Sequence, residues 1–470
     1  MDADDFLDEE VQSNVQRYER MIRNKTHEFF DAEALEGICL YYIHRDKLKK
    51  ALEVIYFSEN FYPNHVGLMI QKADIFMSMD QFDDSLEILN RAELFEPTNE
   101  DIFLIKGELY LKKENLSEAD KYFNLALENT DERDEVLFEI AYAYESAMYY
   151  AKAAQYFEQI VIENPEIEQA YLDASNAYEF SGNFDKSIEV LESLIDVNPY
   201  NANAWFFLGN TYSKMKMLHK AIDAYDYCIA IDDSFTPARF NKANELVELE
   251  KYEDAIVEYK TAIELGENDA ITYCNLAGCY ERLDKDIEAR EWYRKAVKKN
   301  SNIAEAWFGI GLTFEKENQP KDAIQYLKRA VLIDEKNTEY LLVLAESLYK
   351  TGKKEEAIEC YHEILEIDST MIEAWLDWSY IAFMDEQYDE AVNILEKAIE
   401  IDADCHQYHY RIACYLFAKG EIKQAKQHIE TALEKSWKDY YLLYEIIPQL
   451  QNNKEITDLI ELYKPNDEKF

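Results

Sequence analysis

Small and large apolar residues recur along this chain with a period of 34 residues. One position of the period, here called the second small position, holds only alanine or serine in twelve consecutive copies. These residues are Ala51, Ser85, Ala119, Ala153, Ser187, Ala221, Ala255, Ala289, Ala323, Ala357, Ala391 and Ala425. Twelve residues before each lies the first small position, which holds Cys39, Ala73, Gly107, Ala141, Ser175, Gly209, Ala243, Ala277, Gly311, Ala345, Ser379 and Ala413. This pattern predicts pairs of helices that pack closely, because neither helix carries a bulky side chain at the contact.

Bulky apolar residues occupy two further positions of the period. Three residues after the first small position stand Tyr42, Phe76, Tyr110, Tyr144, Tyr178, Tyr212, Leu246, Tyr280, Phe314 and Leu348, before Ala382 and Leu416 interrupt the aromatic series. Four residues after the second small position stand Ile55, Leu89, Phe123, Phe157, Leu191, Tyr225, Tyr259, Tyr293, Leu327, Tyr361, Leu395 and Ile429. These spacings keep small and bulky residues on one helical face, so each predicted helix carries an apolar stripe.

The positions of the prolines indicate where the predicted helices begin and end. Four of them share one register beyond the predicted end of a second helix, namely Pro63, Pro97, Pro165 and Pro199. Proline is tolerated there because no helical hydrogen bond is lost. Pro320 falls at the start of a second helix, and we expect it in the first turn.

Composition and charge narrow the possible classes of protein. With 11 Gly and 8 Pro in 470 residues, the chain has too few turn-forming residues for a many-stranded β protein or a collagen. A hydrophobic fraction of 48% is enough to build a core. The formal net charge is −47, which disfavours nucleic acid as a partner and favours basic or apolar ones.

The repeat resembles the tetratricopeptide repeat (TPR) family. One near-consensus copy comprises Trp205, Leu208, Gly209, Tyr212, Ala221, Tyr225 and a turn at Asp232-Asp233, and another comprises Trp307, Gly311, Phe314 and Ala323. The pattern runs in register over residues 32–439. The resemblance implies an all-α, right-handed superhelical solenoid of about twelve helical hairpins, with the first helix of each pair lining the concave face.

Both ends of the chain lack the repeat signature. Residues 1–31 are predicted to form an acidic tail, with Asp2, Asp4, Asp5, Asp8, Glu9 and Glu10, followed by a helix over 11–24 that covers the first repeat. Residues 440–470 are predicted to hold a C-terminal capping helix pair over 440–464 and a short tail, with Pro448 kinking its helix. No secretory signal or membrane span is visible, and the odd number of scattered cysteines fits a reducing cytoplasm.

The sequence contains few residues in patterns typical of catalytic or metal-binding sites. There is no Gly-rich phosphate loop, nucleophile elbow, H-E-x-x-H or CxxC, so we predict no enzyme and no cofactor. Cys405, His406, His409 and Cys414 crowd one helix start at spacings that permit shared metal ligation. His409, however, takes the position of Trp205 and Trp307, so we predict that it packs and binds no metal.

The first helices supply candidate partner-binding residues. Asn176, Asn210 and Asn244 directly follow the first small position, and Asn241 and Asn275 precede it by two residues. Such amides can hold an extended peptide backbone, or they can simply bond neighbouring backbone within the repeats. With the aromatic residues beside them, the predicted partner-binding set is Phe138, Tyr142, Asn176, Phe206, Asn210, Phe240, Asn241, Asn244, Asn275 and Phe308.

These observations predict a protein-interaction scaffold that binds an extended or helical segment of a basic or apolar partner, without nucleic acid or membrane. The alternatives are a self-assembling solenoid, in which the homo-oligomer is the function, and a regulatory subunit that acts on an enzyme in trans. The lysine with which some TPR cochaperones hold acidic tails is absent from its position in every repeat. A run of cations remains, which is either a solvated face or a docking site for an acidic protein or the acidic tail: Arg290, Arg294, Lys295, Lys298, Lys299, Lys316, Lys321, Lys328 and Arg329.

Overall fold

A computed structural model describes residues 9–465, and every regular element within that range is helical, which confirms the all-α prediction. The chain divides into two units, residues 1–238 and 239–470. The first contains α1 Glu9–Asn24, α2 Ala32–Ile43, α3 Leu48–Ser58, α4 Val66–Ser78, α5 Phe82–Glu93, α6 Glu100–Lys112, α7 Leu116–Asn129, α8 Arg133–Ser146, α9 Tyr150–Glu163, α10 Glu168–Phe180, α11 Phe184–Val197, α12 Ala202–Lys214 and α13 Leu218–Ile231.

Helix α14, Thr236–Glu248, spans the boundary between the two units. The second unit continues with α15 Tyr252–Glu264, α16 Ala270–Arg282, α17 Asp286–Lys299, α18 Ala304–Lys316, α19 Pro320–Ile333, α20 Thr338–Lys350, α21 Lys354–Ile367, α22 Ile372–Met384, α23 Tyr388–Ile401, α24 His406–Lys419, α25 Ile422–Lys435, α26 Leu442–Ile446 and α27 Lys454–Leu462. None of the helices in 9–465 is both long and apolar enough to cross a bilayer.

The boundaries of the helices follow from local chemistry that repeats with the same period. Asn201 caps α12 by accepting a hydrogen bond from the backbone N–H of Ala204 at 2.9 Å. Pro320 is the first residue of α19, as predicted. A residue with positive φ ends the first helix of each pair, and glycine provides it at Gly182, Gly352 and Gly420.

The small positions allow the bulky residues to sit directly over the neighbouring helix. A Cβ atom added to Gly209 would lie 2.5 Å from Cε1 of Tyr225, and one added to Gly107 would lie 2.3 Å from Cε1 of Phe123. Both contacts lie within one helical pair, between the first small position and the residue four after the second. The first small position therefore packs against a bulky side chain of the second helix as well as against the second small position, as in the 3.0 Å contact between the hydroxyls of Ser175 and Ser187.

Two glycines beside Tyr293 test the same kind of close packing between successive pairs, because Tyr293 lies on α17 and Gly309 on α18. We expect Gly309→Ala to destabilise the second unit by about 1–3 kcal/mol relative to Gly278→Ala. A Cβ at Gly309 would meet Cζ of Tyr293 at 2.3 Å, whereas one at Gly278 would lie 3.8 Å from the hydroxyl of the same residue. Both glycines are in helix interiors, so the gain in helix propensity cancels in the comparison. Urea denaturation checks this, and equal stability of the two variants would contradict it.

The described chain begins with one long helix and ends with short helical segments. Helix α1 covers the first pair through Val15, Tyr18 and Met21, in agreement with the helix predicted over 11–24. At the other end, the expected kink at Pro448 is wrong. Pro448 begins a 3-10 segment after α26 has ended, a position where its missing N–H costs no helical bond. Of the predicted acidic tail, residues 1–8 lie outside the described range.

Candidate partner-binding surface

In the first unit, the first helices α6 and α8 enclose a cavity of about 340 Å³. Its lining combines carboxylates, one lysine, one tyrosine and small apolar groups: Glu108, Leu111, Lys112, Glu139, Tyr142, Ala143, Ser146 and Ala147. We call this site the α6–α8 cavity. Of the residues predicted from the sequence to contact a partner, Tyr142 lies directly in its wall.

Tyr142 is the aromatic residue that this surface presents to solvent. Its side chain is 43% exposed, and its ring stacks on Phe138 with centroids 6.0 Å apart and meets the edge of Phe157 at 5.3 Å. The hydroxyl donates a hydrogen bond to Oδ2 of Asp173 on α10 at 2.8 Å. Burial raises the pKa of the Tyr142 hydroxyl, and the hydrogen bond to Asp173 raises it further. The hydroxyl therefore stays a neutral donor. The ring is thus held in a fixed orientation at the mouth of the cavity.

The carboxylates of the cavity are close enough to disturb one another. Burial raises the pKa of Glu108 to about 7, and the charges of Asp74 and Glu139 add to the shift. Burial likewise raises the pKa of Glu139 and of Asp74. Lys112 opposes the shifts of Glu108 and Asp74 but does not cancel them. The cavity therefore holds more negative charge than its own cation compensates, and it favours an added positive group.

The acidic residues around this site stand at the two repeat positions where asparagine is the predicted partner-binding residue in later repeats. Asp74 and Glu108 directly follow the first small position. Asn176 stands at the same position, three repeats after Asp74 and two repeats after Glu108. Glu139 and Asp173 lie two residues before it, where Asn241 and Asn275 stand in later repeats. Four residues at these two positions of the first unit are therefore carboxylates. Comparison of all repeats at these positions would have found them.

The predicted asparagines fall into two structural groups. Asn210 accepts a hydrogen bond from the Tyr225 hydroxyl at 2.9 Å, and Asn244 accepts one from the Tyr259 hydroxyl. Within the second unit, Nδ2 of Asn275 also donates to Oδ1 of Asn244 at 3.2 Å. These side chains thus bond to their neighbours within the repeats.

Asn176 differs from Asn210 and Asn244 because Leu191 replaces the tyrosine at the matching position. Among the residues that the structure describes, the half-buried side chain of Asn176 makes no hydrogen bond. It remains available to a partner, beside Asp173 on the same helix.

We expect Asn244→Ala to destabilise the protein by about 1–3 kcal/mol and Asn176→Ala to change stability little. The first substitution leaves the hydroxyl of Tyr259, a residue only 1% exposed, without its acceptor. Adding Tyr259→Phe to Asn244→Ala removes the orphaned hydroxyl and should restore most of the loss. Chemical denaturation of the three variants checks this, and an equal loss in both asparagine variants would refute the division into two groups.

The predicted phenylalanines differ in how far they are accessible. Phe206 is half-buried and lies 5.1 Å from the ring of Phe235, and Phe240 is half-buried against Tyr259 at 5.8 Å. Phe308 is only 8% exposed and stacks under Tyr340 at 4.5 Å. A partner would reach Phe308 only if that tyrosine moved.

In the second unit, two acidic residues on neighbouring first helices, Asp377 and Glu346, lie close enough to interact. Burial raises the pKa of Asp377 on α22 to about 6, and the negative charge of Glu346 on α20 contributes. Arg411 on α24 opposes this shift. All three residues stand at the two repeat positions already described, directly after or two before the first small position.

The cysteines and histidines near residue 405 are engaged elsewhere in the fold. His406 Nε2 lies 2.8 Å from Oδ2 of Asp439, whereas Nδ1 of His409 lies 3.1 Å from Nδ1 of His428. Burial and the neighbouring His428 lower the pKa of His409 to about 4. Cys414 Sγ contacts the carbonyl oxygen of Leu443 at 3.6 Å. Within 9–465 no group of three or more such ligands is placed to hold a metal.

Family models described as "TPR repeat" and "Tetratricopeptide repeat" match over the ranges 100–131, 168–201, 202–235, 243–284, 270–302, 315–376 and 372–405. A search of curated proteins gives no match.

Solved structures similar to this chain include two that are described as TPR proteins. YrrB, described as a TPR protein with an unusual peptide-binding site, is 21% identical, covers 40% of this chain and 96% of its own, and gives a TM-score of 0.36. The C-terminal part of a TPR repeat-containing protein from Cytophaga hutchinsonii is 17% identical, covers 50% of this chain and 97% of its own, and gives a TM-score of 0.44. A chain of the APC/C hetero-tetramer Cut9-Hcn1 is 12% identical, covers 90% of this chain and 96% of its own, and gives a TM-score of 0.37.

Proposed function

Since this chain belongs to the tetratricopeptide repeat family, we propose that it is a non-enzymatic scaffold for protein interactions. Its partner is a protein with an extended or helical segment that is basic or apolar. In the first unit the contact residues are Phe138, Tyr142, Asn176, Phe206 and Asn210, and in the second unit they are Phe240, Asn241, Asn244, Asn275 and Phe308. The repeats occupy residues 32–439 in this proposal, with 1–31 before them and 440–470 as the closing segment.

The observation that carries the proposal is the α6–α8 cavity. A lysine or arginine side chain placed there would meet the carboxylates of Glu108 and Glu139 and lie close to the face of Tyr142. Ion pairing favours the charged form of both partners, and an aromatic face adds cation–π attraction. The apolar side chain of Leu111 would contact the aliphatic part of the same residue.

A cytoplasmic location is part of the proposal. Each of the seven cysteines is buried and unpaired, and burial raises the pKa of the Cys39, Cys228 and Cys279 thiols to about 12. Such thiols are inert core residues and are stable as thiols in a reducing compartment.

A binding experiment tests the proposed site. The probe is a fluorescently labelled peptide of Lys-Leu-Ala repeats, and its affinity is measured by fluorescence anisotropy. The double variant Glu108→Gln, Glu139→Gln should bind about tenfold more weakly, because one half-buried and one exposed ion pair, worth roughly 0.5–1 kcal/mol each, are lost.

The matched control is Glu359→Gln, Glu363→Gln, which changes the net charge equally at exposed positions of α21. It should leave the affinity within about twofold of the parent. If both double variants weaken binding equally, the peptide responds to the overall charge and the proposed site is wrong. If neither variant weakens binding, the cavity does not contact the peptide.

A further inference from the structure

Four exposed cations cluster on helix α17 of the second unit. Arg294, Lys295, Lys298 and Lys299 are exposed, and their spacing of one, three and four residues places them on neighbouring rows of one helical surface. The whole chain has 49 basic against 96 acidic residues, so four exposed cations within residues 294–299 run against its composition, with Glu291 as the acidic residue one turn before them on the same helix.

These cations lack the ion pairs that neighbouring basic residues make. Arg290 pairs with Glu317 at 2.9 Å, and Lys328 pairs with Glu356 at 2.5 Å. Within the described part of the chain, Arg294, Lys298 and Lys299 form no salt bridge, and Lys295 lies over the ring of Trp292 with Nζ 3.4 Å from its centroid.

The same register continues the patch on the adjacent repeats. Lys260 on α15 precedes Arg294 by 34 residues, and Arg329 on α19 follows Lys295 by 34 residues. Both are exposed and make no salt bridge within the described range. The exposed apolar side chains in these helices are Val257, Ile287 and Leu332.

Helix electrostatics explain only part of this arrangement. Lys298 and Lys299 are in the last turn of α17, where positive charge interacts favourably with the helix dipole. Arg294 and Lys295 lie about a turn further from that end, beyond the reach of the effect. A stabilising role within the helix therefore does not account for the cluster.

We propose that this second-helix surface, formed by Lys260, Arg294, Lys295, Lys298, Lys299 and Arg329, binds an acidic segment of a partner protein whose apolar side chains contact Val257, Ile287 and Leu332. Charge complementarity favours a short acidic segment over a larger polyanion. A nucleic acid or an anionic membrane would extend beyond the patch and meet the surface of a molecule that carries −47. Pairing over a few residues, by contrast, is local, because charges beyond about 8 Å are screened at physiological salt.

This inference goes beyond the proposed function, because it assigns a second surface of opposite charge on the second helices. A scaffold with both surfaces would hold a basic segment of one partner and an acidic segment of another. Each surface can be disabled without touching the residues of the other, so failure of one proposal leaves the other open to its own test.

The experiment measures binding of a fluorescently labelled peptide of Glu-Leu-Ala repeats by anisotropy, with the full chain. The parent is expected to bind with an affinity that falls as salt is raised. The quadruple variant Arg294→Gln, Lys295→Gln, Lys298→Gln, Lys299→Gln should bind at least about tenfold more weakly. Circular dichroism melting of each variant verifies that the fold persists.

The matched control is Lys336→Gln, Lys397→Gln, Lys423→Gln, Lys454→Gln, which removes four exposed cations elsewhere in the second unit. It should bind the Glu-Leu-Ala peptide like the parent. Equal weakening in the two quadruple variants, or no binding by the parent, overturns the proposal. A single-stranded DNA oligonucleotide or phosphatidylserine vesicles that bind the parent more tightly than the peptide does, and lose binding in the α17 variant, would overturn the assignment to an acidic protein segment.

Discussion

Replacing Glu93 by alanine is expected to destabilise the first unit by about 3 kcal/mol, because it leaves a buried lysine without its counter-ion. Lys106 on α6 is 0% exposed, and its ammonium group donates to the carboxylate of Glu93 on α5. The ring of Tyr122, with its centroid 5.2 Å from Nζ, is a further favourable contact. Since the Glu93 side chain is 37% exposed, water can reach the site in part, which places the loss at the low end of the range for buried pairs.

A second substitution separates the charge from the packing. Lys106→Met fills a similar volume without a charge, so Glu93→Ala should cost little in that background. Urea denaturation of the two single variants and the double variant gives the coupling energy. If Glu93→Ala is equally destabilising with and without Lys106, the loss comes from the packing of Glu93 itself and the account of the pair is wrong.

Raising the pH from about 5 to 8 is expected to destabilise the protein, with Glu108 alone contributing up to about 3 kcal/mol. The pKa of Glu108 rises from 4.5 to about 7 in the folded protein. Between these values the folded state binds more protons than the unfolded state, so stability falls as the pH rises through this window. Below the window both states are protonated and the penalty vanishes. Asp377, with a pKa of about 6, acts in the same direction.

The variant Glu108→Gln isolates this contribution. It should raise the melting temperature at pH 8 and have little effect at pH 5, because glutamine resembles the protonated acid. Thermal denaturation across the pH range measures this directly. An equal effect of the substitution at both pH values would show that the carboxyl is not the group that titrates.

The sequence was sufficient for the fold because the determinants are local and repeated. The two small positions mark where the helices of one pair meet, as the 3.0 Å contact between the hydroxyls of Ser175 and Ser187 shows. Proline at the start of α19 and asparagine at the start of α12 are boundary signals that act within one turn. Outside the repeats such periodic support is missing, and there the role of Pro448 was wrongly predicted.

The candidate site was harder to predict because its chemistry lies between helices of different repeats. The period gives the positions of the asparagines, but whether an asparagine side chain is free depends on the residue that faces it. Tyr225 provides a hydroxyl to Asn210, whereas Leu191 provides none to Asn176. The raised pKa of Glu108 likewise depends on burial, which cannot be read from the sequence.

The most direct test of the proposed site is the affinity for the Lys-Leu-Ala peptide as a function of pH. Between pH 6 and 8 the lysines of the peptide stay charged and ordinary carboxylates stay ionised, so among the carboxyl groups only one with a raised pKa such as Glu108 changes its charge. Histidine side chains also titrate in this range, but they are the same in the parent and in Glu108→Gln, so the comparison of the two isolates Glu108. The proposal predicts that affinity rises about two- to fivefold over this range, through the ion pair gained as Glu108 ionises, and that Glu108→Gln abolishes the rise. A flat profile for the parent, or the same rise in the variant, would contradict it.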